Sequence, residues 1–301
     1  MGRPSGASAS RSTSGPADGS VQRLIGYGLR LDSQLAVPGA VPDDDEGPSD
    51  LTILRDPPQP TGDAPVYVRT HDGLCFVCPG VASYRIAVQS IRVTPDPDAR
   101  PDMISGMLVA TALPAWLWLR GRFVLHAGAV RLSGGGAIAI AGASGSGKST
   151  ILAQLAAAGA AVIGDDTIAF SRDTGALASG LGGGWFSARD DGGARPFVAV
   201  DMRQSCSGAA LAAILLLDQR CEGEGGLMRI DPVAAVAALL THRHRPRVPA
   251  LLGRTVEVLH DATLLAGTIP LYSWRRRAGV ATLTPAEWAM LERIGMGKEI
   301  E

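Results

Sequence analysis

Three features of the second half of the chain predict an α/β fold. Two strand-like runs, Phe123 to Leu132 and Ala137 to Ala141, flank the turn signal Ser133-Gly134-Gly135-Gly136. The loop Gly142-Ala143-Ser144-Gly145-Ser146-Gly147-Lys148-Ser149 follows the second run at once. It opens a helical run over Ser149 to Ala158, which Gly159 caps. Ala161-Val162-Ile163-Gly164 then reads as a short buried strand, so strand, phosphate-type loop, helix and strand come in the order of an α/β unit.

The remaining elements follow in chain order. Residues 1–20 are rich in Gly, Ser, Ala and Arg without an apolar stretch, and read as a disordered tail rather than a signal peptide. Residues 21–101 alternate short apolar runs, such as Leu51 to Leu54, Val66 to Val68 and Tyr84 to Val88, with Pro, Gly and Asp. That spacing predicts a β-rich accessory region. Asp43-Asp44-Asp45-Glu46 reads as a solvated loop, and Pro95 to Pro101 as a linker.

Residues 102–120 form an apolar helix. Its most apolar part, Leu108 to Leu119, is shorter than the ~20 residues of a membrane span and contains Pro114, so a buried helix is expected. Residues 121–280 carry the α/β domain, with a mobile Gly-rich loop at Gly180 to Gly193, a strand at Leu211 to Leu217 and a helix at Pro232 to Leu240. A C-terminal helix lies within 281–301, at Pro285 to Ile294.

Composition narrows the function classes. A formal net charge of −1 gives no electrostatic reason to expect nucleic acid or an anionic membrane as partner. Four cysteines are too few for a disulfide framework in 301 residues, and a cytoplasmic protein is expected. Cys75 and Cys78 have C-x-x-C spacing but no second pair, so buried strand thiols are expected rather than a zinc site. Cations are almost all Arg; the chain has only Lys148 and Lys298, and one of the two stands inside the Gly-rich loop.

The pattern G-x-x-x-x-G-K-[ST] acts through its backbone. Its glycines let successive N–H groups turn inward onto phosphates, and the following helix N-terminus adds positive potential. Lys148 is expected to reach the β- and γ-phosphates of ATP, and the Ser149 hydroxyl to ligate Mg²⁺.

Two acidic groups compete to serve the metal and the acceptor. Asp218 ends the apolar run Ile214 to Leu217, as in an ordinary Walker B strand. No LSGGQ-like segment lies between the loop and Asp218, and the residues that follow it directly are Gln219 and Arg220 rather than a catalytic acid. Asp165-Asp166 ends the strand that follows the loop's helix, one helix away from Ser149. A strand parallel to and beside the one feeding the loop would bring this pair to the phosphate edge. One carboxylate could then hold Mg²⁺ while the other accepts a hydroxyl proton. A hairpin centred on Gly134-Gly135 would set His126 opposite Ala143, inside the loop; a lone strand His is as readily a core residue.

Leu125-His126-Ala127, Gly142 to Thr150 and Ile163-Gly164-Asp165-Asp166, in this order, are similar to the kinase domain of HPr kinase/phosphorylase, which shares its fold with phosphoenolpyruvate carboxykinase. The match covers about residues 122 to 170. A β-rich N-terminal part ahead of the Leu-His-Ala strand resembles the HPr-kinase-related proteins of peptide-modification clusters, including those for lasso peptides, and of polysaccharide clusters. The resemblance implies ATP- and Mg²⁺-dependent phosphorylation of a Ser or Thr hydroxyl in a peptide or small protein. It implies Asp166 as proton acceptor, Asp165 assisting at the metal, His126 in the active site, and Lys148, Ser149 and Thr150 at the nucleotide. The family's Glu-x-Arg-Gly-Leu-Gly segment has no counterpart here, since Gly180 to Trp185 contains no Glu, and none of Arg189, Arg195 and Arg203 aligns with a catalytic Arg. Two rival readings are a nucleotide-binding regulatory module that transfers nothing, and an assembly ATPase using Asp218. A homo-oligomer stays open.

Overall fold

The computed structural model describes residues 20–171, 176–186, 197–217, 221–223, 225–279 and 282–298. The expected tail lies outside them but for Ser20, as do Asp218, Arg189 and Arg195.

Two large sheets and several helices make a mixed α/β protein. The first sheet is built from β1 (Gln22–Gly26), β2 (Leu29–Ser33), β3 (Val41–Pro42), β4 (Leu51–Arg55), β5 (Val66–Arg69), β6 (Gly73–Cys78), β7 (Ala82–Ala87) and β8 (Ser90–Pro95). Its order is β3-β1-β2-β4-β8-β7-β6-β5. One face carries Leu31, Ile53, Leu74, Tyr84, Ile86 and Ile91, all fully buried, as the period of two requires. Tyr27 and Gly28 make the two-residue turn between β1 and β2, with φ of 58° and 67°. Both positive values match the right-handed twist of the strands, but for an aromatic residue the conformation is unusual. Cys75 and Cys78 do sit on a strand, β6, yet both are half-buried rather than buried. In the acidic loop, Arg30 pairs with Asp43 and Asp45.

The apolar helix is buried as expected, but Pro114 does not interrupt it. It runs unbroken over Pro101–Leu119, as α1 (Pro101–Met107), a π-helical stretch (Leu108–Ala112) and α2 (Leu113–Leu119). At 19 residues it is long and apolar enough to cross a membrane by length and composition, but most of it is enclosed by the protein. Trp116, Leu117 and Trp118 are fully buried. Pro114 does not break it, because the chain is already in π register there: Leu113 N–H donates to the Leu108 carbonyl. Pro114 has no N–H to offer Ala110. That carbonyl instead accepts from Nε and Nη2 of Arg245, at 2.9 and 2.6 Å.

The second sheet contains β9 (Phe123–Leu125), β10 (Ala127–Arg131) and β11 (Ala137–Gly142). The glycine loop then leads to α3 (Lys148–Ala157), β12 (Ala161–Gly164), β13 (Ile168–Phe170) and β14 (Leu177–Ser179). A small ribbon, β15 (Gly184–Phe186) with β16 (Phe197–Ala199), occupies part of the expected Gly-rich loop; the rest of that loop is outside the described residues. β17 (Gly208–Leu217), β18 (Gly226–Arg229), α4 (Pro232–Thr241), α5 (Arg247–Leu251), α6 (Thr255–Thr268), β19 (Leu271–Arg275) and α7 (Pro285–Gly295) complete the chain.

The sheet order is β12-β10-β11-β17-β14-β13-β9, with β19 on β17 and β18 on β19. β11, β17 and β19 are parallel, so their C-terminal ends share one edge with the glycine loop. The expected single strand from Phe123 to Leu132 is two strands, since the chain bends at His126 and changes neighbours from β13 to β11. β12 runs in the direction of β11 but is not beside it, because β10 lies between and pairs antiparallel with both. α3 ends as its sequence predicts: Gly159 takes φ 100°, and the N–H groups of Gly159 and Ala160 close on Ala156 and Leu155.

One continuous apolar core joins Leu31, Ile53 and Tyr84 of the first sheet, Trp116 and Trp118 of the helix, and Leu125, Ile163 and Ile214 of the second sheet. Ile138, Ile140, Leu152 and Leu215 face a second cluster, which Leu291 and Ile294 of α7 close. The boundaries drawn at 101 and 120 therefore pass through packed hydrophobic contacts.

Removing the guanidinium in Arg245→Ala leaves the Ala110 carbonyl without its donor. Chemical denaturation should show a loss of about 1–3 kcal/mol. The loss should shrink in a Pro114→Ala background, which restores an N–H to that turn; equal losses in both backgrounds would refute the pairing.

Candidate active site

The glycine loop follows β11 without a spacer. Gly142, Gly145 and Gly147 take φ of 156°, 79° and 101°, which residues with a Cβ rarely adopt. At Gly142 a Cβ would also come within 2.9 Å of Ser146 Oγ and 3.0 Å of the Leu217 carbonyl, so the loop is wound close against β17. Ala143, Ser144 and Gly145 are exposed at its tip, and Thr150 is exposed in the first turn of α3. Lys148 is buried and folds back over the loop, where Nζ donates to the carbonyls of Gly142 and Ala143 at 2.9 and 3.0 Å.

The acidic pair meets the loop from β12. A β-bulge in the β10–β12 pairing, at Ile163, turns the strand just ahead of Asp165. Gly128 clears the way, since a Cβ there would lie 3.3 Å from Asp165 Oδ1. Ser149 Oγ donates to the Asp165 carboxylate, 2.9 Å from Oδ2 and 3.2 Å from Oδ1. The next residue turns away. Thr167 N–H bonds the Asp165 carbonyl at 2.8 Å and Asp166 between them has φ 67°, which makes a γ-turn of the rare, strained hand. Asp166 Oδ1 is 3.0 Å from His126 Nε2.

Two histidines that the sequence reading passed over complete the cluster. The segment 242–244 lies antiparallel along the end of β9: His126 N–H donates to the His242 carbonyl and His244 N–H to the Val124 carbonyl, both at 2.9 Å. His244 Nε2 stands 4.0 Å from Asp166 Oδ2, and its ring stacks on His126 with centroids 5.4 Å apart. Its Nδ1 is 2.7 Å from Thr167 Oγ1, and Thr167 is hydrogen-bonded in turn to the Tyr27 hydroxyl. Three of the five histidines thus gather here. The signal was the alternation Thr241-His242-Arg243-His244-Arg245, which in an extended segment turns both rings to one side; nothing in it pointed to the Asp pair.

His126 lies one residue off its expected place. Ala127 pairs with Ala141 and Arg131 with Ala137, so the hairpin centres on Gly134, and His126 stands level with Gly142 rather than Ala143. The cause is α7: Gly136 N–H donates to the Gly295 carbonyl, while Leu132 and Gly136 close the turn. Arg203, the described member of the three unaligned arginines, is exposed in a short 3₁₀ turn that Asp201 caps.

Burial sets the charges. Desolvation lowers His244 to about 4, with Arg245, His126 and Lys148 adding to the effect and the Asp166 carboxylate opposing it. His242 is lowered by burial, then by Lys148 and His126. Burial raises the Tyr27 hydroxyl, which stays protonated and able to donate.

These residues fit a nucleotide with magnesium. Ser146 Oγ, inside the loop, is buried with no hydrogen-bond partner among the described residues. A hydroxyl and a carboxylate within 3.2 Å are hard oxygen donors of the kind Mg²⁺ takes beside phosphate oxygens. No cluster of three or more His, Cys, Asp or Glu among the described residues could hold a metal by itself. An apolar cavity of about 180 Å³ opens at the other end of β9, lined by Phe123, Phe170 and Leu265, and shares no residue with this site. Compared with known proteins, the chain matches no protein-family model and no curated sequence.

His244 predicts a pH dependence of stability. Its folded value lies below the ordinary 6.5, so the unfolded chain binds the extra proton first. Stability should be complete above about pH 6.5 and fall by up to about 3 kcal/mol as pH drops to 4. Urea midpoints over that range should slope less in His244→Asn; an unchanged slope would contradict the burial effect.

Proposed function

We propose that the chain is an ATP- and Mg²⁺-dependent kinase, with an HPr-kinase-like P-loop domain, that phosphorylates a Ser or Thr hydroxyl of a peptide or small protein in the cytoplasm. The observation that carries this reading is the division of the acidic pair. Asp165 faces the Ser149 hydroxyl and the glycine loop, while Asp166 faces away from Ser149 and is held by His126. A site that only binds nucleotide has use for the first carboxylate but not for the second.

In this mechanism the loop N–H groups and Lys148 bind the triphosphate, Lys148 exchanging the carbonyls of Gly142 and Ala143 for phosphate oxygens. Ser149 and Asp165 would hold Mg²⁺. The bound nucleotide and metal supply the transferable phosphoryl group and neutralise the charge that grows on it. Asp166 accepts the proton of the incoming hydroxyl as that oxygen bonds to the γ-phosphorus and the bond from phosphorus to the β–γ bridging oxygen breaks, releasing ADP. His126 keeps the Asp166 carboxylate turned toward the acceptor, and the strained turn beneath it fixes its height above the loop. Orientation and charge neutralisation do most of the work, as in phosphoryl transfer generally.

Radiolabel transfer from ATP to peptides encoded beside the gene tests the reading. Lys148→Ala should abolish transfer, and Lys148→Arg should fail too, because a planar fork does not fit where the loop encloses a point charge. Asp166→Asn should still bind MgATP but transfer about 10²–10⁴-fold more slowly. Asp165→Asn and Ser149→Ala should weaken Mg²⁺-dependent binding with the fold intact. An active Asp166→Asn beside a dead Asp218→Asn would instead identify an assembly ATPase.

A further inference from the structure

We infer that His244, held by Thr167 and Tyr27, is a positioning residue for the Asp166 carboxylate, so that the N-terminal sheet is part of the phosphoryl-transfer site. The inference rests on Asp166 as the base of the proposed reaction.

The geometry is a chain of contacts that crosses from one sheet to the other. Tyr27 stands at the tip of the β1–β2 hairpin, buried despite a positive φ, and its N–H donates to the Gly180 carbonyl at 2.8 Å. Such strain persists only where surrounding contacts over-determine it. Its side chain enters the second sheet and meets Thr167, the residue after Asp166. Thr167 is buried, and its hydroxyl is 2.7 Å from His244 Nδ1. His244 Nε2 faces Asp166 Oδ2 at 4.0 Å, an electrostatic contact rather than a formed hydrogen bond.

The direction of the chain follows from chemistry. A neutral imidazole carries one proton, and a carboxylate beside Nε2 attracts it there. Nδ1 is then the acceptor and Thr167 O–H donates to it, with the Tyr27 hydroxyl beside Thr167. The Thr167 O–H and the imidazole N–H then both point along the line toward Asp166.

The His244 backbone is pinned as firmly as its ring. Its carbonyl accepts from Trp118 Nε1 at 2.7 Å, its N–H donates to Val124, and the next residue, Arg245, is tied to the Ala110 carbonyl. The helix that joins the two sheets thus sets the height of the imidazole. His126, stacked on His244, faces the other carboxylate oxygen at 3.0 Å. The carboxylate thus meets the edges of two stacked rings, one of which answers to the N-terminal sheet.

Two measurements on the full chain test this, with water as the acceptor so that no substrate need be known. In MgATP hydrolysis, Thr167→Val and Tyr27→Phe should each lower kcat about tenfold with KM for MgATP unchanged, whereas Thr167→Ser, which keeps the hydroxyl, should retain wild-type kcat. A packing role alone would lower thermal stability and leave kcat of the folded protein alone. In histidine ¹⁵N spectra, the resonances lost in His244→Gln identify this ring. They should report a neutral imidazole with its proton on Nε2, and the Nδ1 signal should move in Thr167→Val. A proton on Nδ1, or kcat within twofold of wild type in both Thr167→Val and Tyr27→Phe, overturns the inference. A wild-type chain that hydrolyses no MgATP, yet shows the expected tautomer, overturns the kinase reading and leaves the contact chain standing.

Discussion

Two adjacent carboxylates can serve the same end of a sheet only if the backbone leaves its extended course between them, and the γ-turn centred on Asp166 makes that departure. An ordinary extended strand would have set Asp165 and Asp166 on opposite faces of the sheet, one of them far from the loop. The turn costs on the order of 1–3 kcal/mol. Neighbouring contacts offset it: the Thr167 N–H bond to Asp165, the pairing of β13 with β9 directly after it, and the 3.0 Å contact with His126. The bulge in β12, the missing side chain at Gly128 and the bend at His126 all serve this one point of the chain.

The helix Pro101–Leu119 has a less obvious part in the same arrangement. Its imperfection is useful. An uninterrupted α-helix would satisfy Ala110 from residue 114, but the proline has no N–H to give, and Arg245 donates to that carbonyl instead. That bond, with the one from Trp118, anchors a segment that has no helix or strand of its own to hold it, though it carries two of the site's histidines.

Much of this was legible in the sequence where local chemistry dictates the outcome. The glycine loop, the helix behind it with its Gly159 cap, the short strand before Asp165 and the punctuated strands of the first sheet are all governed by a few neighbouring residues. What was not legible depended on distant partners. The hairpin slipped by one residue because Gly136 bonds to Gly295, far along the chain. β12 fell beside β10 rather than β11, which strand pairing decides and local pattern does not. The break at His126 looked like continuous strand because the residues flanking it, Phe123 to Leu125 and Ala127 to Val130, are buried and apolar. Within the site, the loop, Asp165, Asp166 and His126 were readable as a set, whereas His244, Thr167 and Tyr27 come from three separate regions, and only the fold brings them together.

The shared core has a consequence for how such a protein can change over evolutionary time. Modular exchange of recognition parts works when a linker separates them from the chemistry. Here the junction is filled by Trp116 and Trp118, and the first sheet packs on the same apolar mass as the second. Recombination at that boundary would expose a tryptophan-lined face on either fragment. Change over time is therefore confined to the rims, in the loops and edge strands of the first sheet, while its inner face is locked to the second sheet.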